Sequence, residues 1–189
     1  MVDMSLRTLL RESTREAHGR LEALLALDSV ALTPERYGHF LVCAEAFHAG
    51  MEPALERHGL ARWGLDMRAR VKRPWLAADL GYLGLAEAAP ARDEDASGAA
   101  LLGRAYVLEG ATLGGRVLLE RVGTTCGVGP GRGATYLAGY EVRTGSMWRA
   151  FVGALDEVPL APAEAEACVE EARGTFRRYE ALLRDNGWR

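Results

Sequence analysis

Apolar residues recur every three or four positions along nearly the whole chain, and no stretch of useful length alternates as a strand would. That pattern confines the chain to helices packed on helices. A first helix is expected from Ser5 to Leu27, with Leu6, Leu9, Leu10, Ala17, Leu21, Leu24 and Leu25 as its apolar positions. In "LTPERYGHFL", Thr33 suits an N-cap, Pro34 a first helical position and Glu35 a first turn, so a second helix should run to His58. A third, broken by Pro74, is expected over Arg62 to Leu85, followed by a polar surface connection, "EAAPARDEDASG". A fourth covers Gly98 to Arg121 and should end at the glycine-rich "GTTCGVGPGRG". A fifth is expected over Ala134 to Leu155, and a sixth from after "VPLAPAE" to Asp185. The expected fold is an all-α bundle of six or more helices.

The 189 residues fit one domain, 1–189. With 49% hydrophobic and 26% charged residues the chain can bury a core. A net charge of −3 gives no general basis for nucleic acid as partner. No apolar run reaches the roughly 18 residues a membrane span needs. The start, "MVDMSLRTLLRES", lacks a signal peptide's apolar region, so a cytoplasmic location is expected. Cys43, Cys126 and Cys168 are far apart and form no CxxC pair, which argues against a disulfide framework or zinc site. Cys43 and Cys168 fall in helical patterns as small core residues, and Cys126 in the glycine-rich loop.

The fourth helix carries an anomaly. "YVLEGATLGGRVLLERVG" keeps helical spacing through Val107, Leu108, Leu113, Val117, Leu118 and Val122, yet holds Gly110, Gly114 and Gly115. Each interior glycine costs about 1 kcal/mol against alanine. Glycines on one face let something approach the backbone closely. Either another helix or a flat ligand would fill that role.

Candidate chemistry begins with His18. Thr14, His18, Leu21 and Leu25 share one helix face, so the imidazole should point toward the interior edge. It reads either as a boundary histidine bonded to a carbonyl or as a metal or haem ligand. Arg11 lies two turns earlier, about 10 Å along the axis, a spacing that suits a ligand with iron at its centre and carboxylates at its edge. Arg173 and Arg177 form a second basic pair at i, i+4, able to fork onto carboxylates or to pair with Glu170 or Glu180. "EAFH" offers one Glu-x-x-His element, where a di-iron bundle needs two. His48 falls on the apolar stripe of its helix as a core or pocket-lining residue.

Together, "STREAHGRLE", "YVLEGATLGGRVL", "YLAGYEVRTGSMWRAFV" and "EEARGTFRRYEALL" resemble the haem oxygenase family in its bacterial branch, and within it the enzymes that supply biliverdin to bacterial phytochromes. The four segments occur in family order. The resemblance implies haem b, at once substrate and cofactor, held between a proximal helix and a kinked distal helix. His18 matches the iron ligand. Gly110, Gly114 and Gly115 match the distal glycines that leave room for O2. Arg11, Arg177 and Arg173 match basic positions toward the propionates. One departure is Ala111, where the animal branch has an aspartate that organises water.

The implied activity is O2-dependent opening of haem to biliverdin, CO and iron. Its electrons come from an external reductase or ferredoxin that docks near Arg11 and Arg177; neither nucleic acid nor membrane is an expected partner. Rival readings are a haem carrier or sensor on the same scaffold, a thiamine-salvage-type hydrolase, which needs a cysteine nucleophile among acids, and a purely structural protein.

Overall fold

A computed structural model describes residues 4–26, 32–87, 89–91 and 96–188 of the chain. Seven α-helices carry the fold: α1 (Leu6–Leu25), α2 (Pro34–His58), α3 (Arg73–Leu83), α4 (Ala100–Cys126), α5 (Thr135–Ala138), α6 (Thr144–Asp156) and α7 (Pro162–Asp185). Among the described residues there is no strand beyond isolated bridges, and no helix is long and apolar enough to cross a membrane.

Local chemistry explains most helix starts. Ser5 caps α1 through the Thr8 amide, and Thr33 caps α2 through the Arg36 amide, ahead of Pro34. Glu164 reaches back to accept from the Ala161 N–H at 3.0 Å where α7 begins. That helix starts at Pro162, inside the expected connection rather than after it.

Three other boundaries differ from expectation. Pro74 does not break a helix: it sits in the first turn of α3, where its missing N–H leaves no bond unmade, and residues 61–63 and 68–70 form short 3₁₀ turns before it. The fourth helix does not stop at Arg121. Thr124 and Thr125 turn their hydroxyls onto the Glu120 and Arg121 carbonyls, and α4 runs on to Cys126 before Gly127, at φ +70, ends it. The fifth helix is split, because Gly139 (φ +59) turns the chain beside Thr112 of α4; a Cβ there would come within 2.7 Å of the Thr112 methyl. The expected end of α1 at Leu27, and part of "EAAPARDEDASG", lie outside the described residues. The described Ala91 of that connection donates its N–H to Ala46 of α2 at 2.8 Å.

The packing hub is α7. The first helix lies beside it in the same direction: Arg173 Nε donates to the Ser13 carbonyl at 3.1 Å, His18 faces Phe176, and Arg20 pairs with Glu180. The fourth helix packs on α7 so closely that a Cβ on Gly103 would lie 1.9 Å from the Cys168 carbonyl oxygen. Beside it the fully buried Arg104 pairs with Glu171 at 2.7 Å and reaches the Met51 carbonyl. Leu10, Leu41, Met51, Leu101 and Phe151 fill the core, and Cys43 and Cys168 are buried within it. All three cysteines are free, and Cys126 closes α4 rather than lying in a loop.

Candidate active site

Both α1 and α4 lean on α6 and α7 but make little contact with one another. They meet where the Tyr106 phenol of α4 faces Thr14, Arg11 and Arg7 of α1. Burial pushes that phenol's pKa up, and the cations and Thr14 offset part of the rise. One turn beyond this contact stands His18 on α1, and one turn beyond it Gly110 on α4.

The His18 side chain is 57% exposed, more open than its helical face implied. The buried stripe of α1 runs through Leu6, Leu10, Thr14, Ala17 and Leu24, and His18 stands at its edge. Its ring meets Phe176 edge-on at 6.0 Å between centroids. Nδ1 lies 3.4 Å from the Glu22 carboxylate. Glu22 was missed in the sequence, although its i+4 spacing from His18 is the signal that finds it.

The three glycines of α4 divide. A Cβ on Gly115 would touch Leu137 at 3.3 Å, so this glycine seats the helix on α5. One on Gly110 would meet only the Trp148 ring, at 4.0 Å. One on Gly114 would meet nothing. Gly110, Leu113, Gly114 and Val117 follow i, i+3, i+4, i+7 spacing along one face. Leu113 is 38% and Val117 79% exposed. This is an uncovered apolar strip with its backbone laid bare at two points. Tyr106 and Trp148, with rings 5.7 Å apart, close one end of it; Tyr106 was also missed, though it lies one helical turn before Gly110.

Each basic residue has a different setting. Arg11 is exposed and faces Tyr106. Arg173 is tied through Nε to the main chain of α1. Arg177 pairs with Glu170 at 2.6 Å in the open and lowers that carboxyl's pKa. Arg177 follows Phe176, whose ring meets that of His18.

Behind α4, away from the strip, lies a buried polar cluster. His48 Nδ1 is 2.8 Å from Glu52 and Nε2 3.0 Å from the Tyr136 hydroxyl. Glu52 accepts from the backbone N–H of Lys72 at 2.8 Å and of Arg73 at 3.3 Å. Glu109 accepts from Tyr140 at 2.7 Å and from Lys72 and Arg70. Burial pulls the Lys72 ammonium's pKa down, and Glu109 opposes the shift. Burial alone would raise the Glu52 carboxyl, but His48 and Lys72 outweigh it and hold it below the usual value.

The exposed His18 of α1, the uncovered apolar strip of α4 and the exposed Arg11, Arg173 and Arg177 are the candidate site residues of the chain. A profile of the Heme oxygenase family matches residues 4–185. The chain belongs to the haem oxygenase family. Haem oxygenases of bacteria are similar to it: Heme oxygenase PigA of Pseudomonas aeruginosa is 29% identical over 173 residues, covering 90% of this chain and 87% of that one. The fold is shared with the NO- and CO-bound haem oxygenase of Neisseria meningitidis, with a TM-score of 0.85 at 24% identity over 97% of this chain and 92% of that one. It is also shared with haem oxygenase-1 of Synechocystis in complex with haem, at 0.71 and 18% identity over 96% and 92%. This is therefore an enzyme of a haem-binding, all-α family.

Proposed function

We propose that this chain opens haem b to biliverdin, CO and free iron, with haem as substrate and cofactor, O2 as oxidant and electrons from an external donor. The single observation that carries the reading is that the two helices meet at Thr14 and Tyr106, one turn before an exposed imidazole on one and a bare, uncovered apolar strip on the other. The residues present fit the group. We take residues 1–189 as one domain, in keeping with a family match over 4–185.

Haem supplies the iron at which O2 binds and is reduced beside a ring carbon. His18 would hold that iron through Nε2, because the Glu22 carboxylate beside Nδ1 favours a proton there. Phe176 limits rotation of the ring. Gly110 and Gly114 keep α4 low, so that O2 fits and a bulky side chain does not; Gly115 seats the helix on Leu137 and sets that height. Leu113 and Val117 lose their exposure against the porphyrin face, a favourable hydrophobic contribution.

Arg11 beside Tyr106 would take one propionate. Arg177 would exchange Glu170 for the other; this swaps one carboxylate for another and costs little at an exposed pair. Arg173, while bracing α1, keeps its terminal nitrogens for the same edge. Anchoring that edge would choose which ring carbon faces the distal side. With Ala111 in place of an acid, the strip bears no titratable side chain, and main-chain carbonyls around Gly110 would order the water that delivers protons. A reductase or ferredoxin would dock against the positive edge around Arg11 and Arg177. The biliverdin acceptor in this reading is a bacterial phytochrome, tested by chromophore assembly in a mixture of the two proteins.

The deciding experiment is titration of apo-protein with hemin, then ascorbate under air with catalase, beside His18→Ala. A one-to-one Soret band that decays to a biliverdin spectrum, with coordination lost in the variant, is the expected result. Stoichiometric binding without ring opening would make the chain a haem carrier or sensor. Absence of stoichiometric binding would overturn the haem reading.

A further inference from the structure

Glycines at 110, 114 and 115 soften α4 where the proposed reaction needs a ceiling of fixed height. Only Trp148 approaches Gly110, and nothing approaches Gly114 from the cleft. Stiffness must come from beside the strip. There Glu109, the residue before Gly110, holds a fully buried carboxylate. It accepts hydrogen bonds from three side chains, none on α4: Arg70 in the 3₁₀ turn, Lys72 at the head of α3, and Tyr140 after α5. Tyr140 also accepts from Lys72 at 2.8 Å, so the donors brace one another.

The anchor is itself held. Glu52 of α2 takes the Lys72 backbone N–H, His48 holds Glu52, and Tyr136 holds His48 in turn. The Arg70 guanidinium that binds Glu109 also donates to the Met147 carbonyl of α6 at 3.4 Å. Met147 adjoins Trp148, whose ring closes on Gly110. One carboxylate thus ties together α4 and α6, the two elements that bound the distal side. An apolar residue would pack there without directional preference, whereas charged hydrogen bonds fix distance and angle.

We infer that Glu109 is a positioning residue: gripped by Arg70, Lys72 and Tyr140, it sets the height and tilt of the glycine turn of α4 over the cleft and thereby which ring carbon is attacked. The part concerning attack rests on the haem oxygenase reading above; the part concerning the helix does not.

The test compares wild type with Glu109→Gln, which keeps the shape and removes the charge, and Tyr140→Phe, which removes one bond. If the first fails to fold, the second carries the test. In apo-protein, amide hydrogen exchange should rise about tenfold over residues 106–116 and stay at wild-type rates in α2 and α7. In hemin-loaded protein, Kd for hemin should stay within about threefold, because His18 and the arginines are untouched, while the biliverdin isomer distribution broadens. Uniformly faster exchange with an unchanged isomer pattern would reduce Glu109 to a general stability role and overturn the inference. A larger solvent isotope effect with local exchange and isomers unchanged would overturn it in favour of proton supply. If wild type forms no biliverdin, the haem oxygenase reading fails, and the exchange arm alone decides whether Glu109 anchors the helix.

Discussion

Two stretches of α4 use the same residue type for opposite ends. Near its start Gly103 lies against the α7 backbone, where an added Cβ would sit 1.9 Å from the Cys168 carbonyl oxygen. Three turns further along much the same face, Gly114 has nothing within 4 Å. One glycine lets two helices touch; the other leaves the backbone of α4 bare. The helix is dense and polar around Glu109, and open and apolar around Val117. Helix propensity alone would treat both glycines as equal defects; only the neighbouring atoms separate them.

The sharpest way to break this contrast is Gly103→Ala. The clash is with backbone, which cannot rotate away, so the cost should be about 3 kcal/mol, the upper part of the overpacking range. For a chain of this size that lowers Tm by roughly 6–12 °C, read by calorimetry of apo-protein. A Tm unchanged by the substitution would mean the helices are not in contact there.

In the open stretch, Gly114→Phe should do the reverse. Apo-protein stability should shift by less than about 0.5 kcal/mol, as for a surface site, while hemin affinity falls at least about tenfold because the ring fills the strip. Hemin titration with a parallel melt separates the two effects.

Acid should attack the buried polar cluster first. The Glu52 carboxyl is held below its usual value of 4.5 in the folded protein. Its contribution is therefore fully present above 4.5 and lost as pH falls through the depressed value. Melts from pH 6 down to about 3 should show stability declining in that window, and Glu52→Gln should flatten part of the decline.

The smallest expected effect sharpens the comparison most. Gly114→Ala places a methyl in open space on an exposed helix interior, and should raise apo-protein stability by up to about 1 kcal/mol. Alanine at 103 and at 114 should thus move Tm in opposite directions on one helix.

Much of this was legible before any coordinates. Helical spacing is a local property, so the all-α fold and the Thr33–Pro34 start of α2 could be read from neighbours within one or two turns. Glu22 and Tyr106 lay within the same reach and went unread. Boundaries failed where a proline or glycine has two uses. Pro74 opens α3 instead of breaking it, because its position in the first turn depends on where residues 61–72 place the chain. Gly139 splits the fifth helix because Thr112 of α4 stands beside it.

By itself, then, the sequence determined the helices, their buried stripes and the candidate ligand, ceiling and edge residues, since each follows from a repeat a few residues long. Tertiary structure alone decided that Gly103 packs while Gly114 opens, that Arg173 braces Ser13 while Arg177 holds Glu170 in the open, and that Glu109 is gripped by donors 31 to 39 positions away. Such choices depend on which atoms of distant segments share a few ångströms, and no period along the chain encodes that distance.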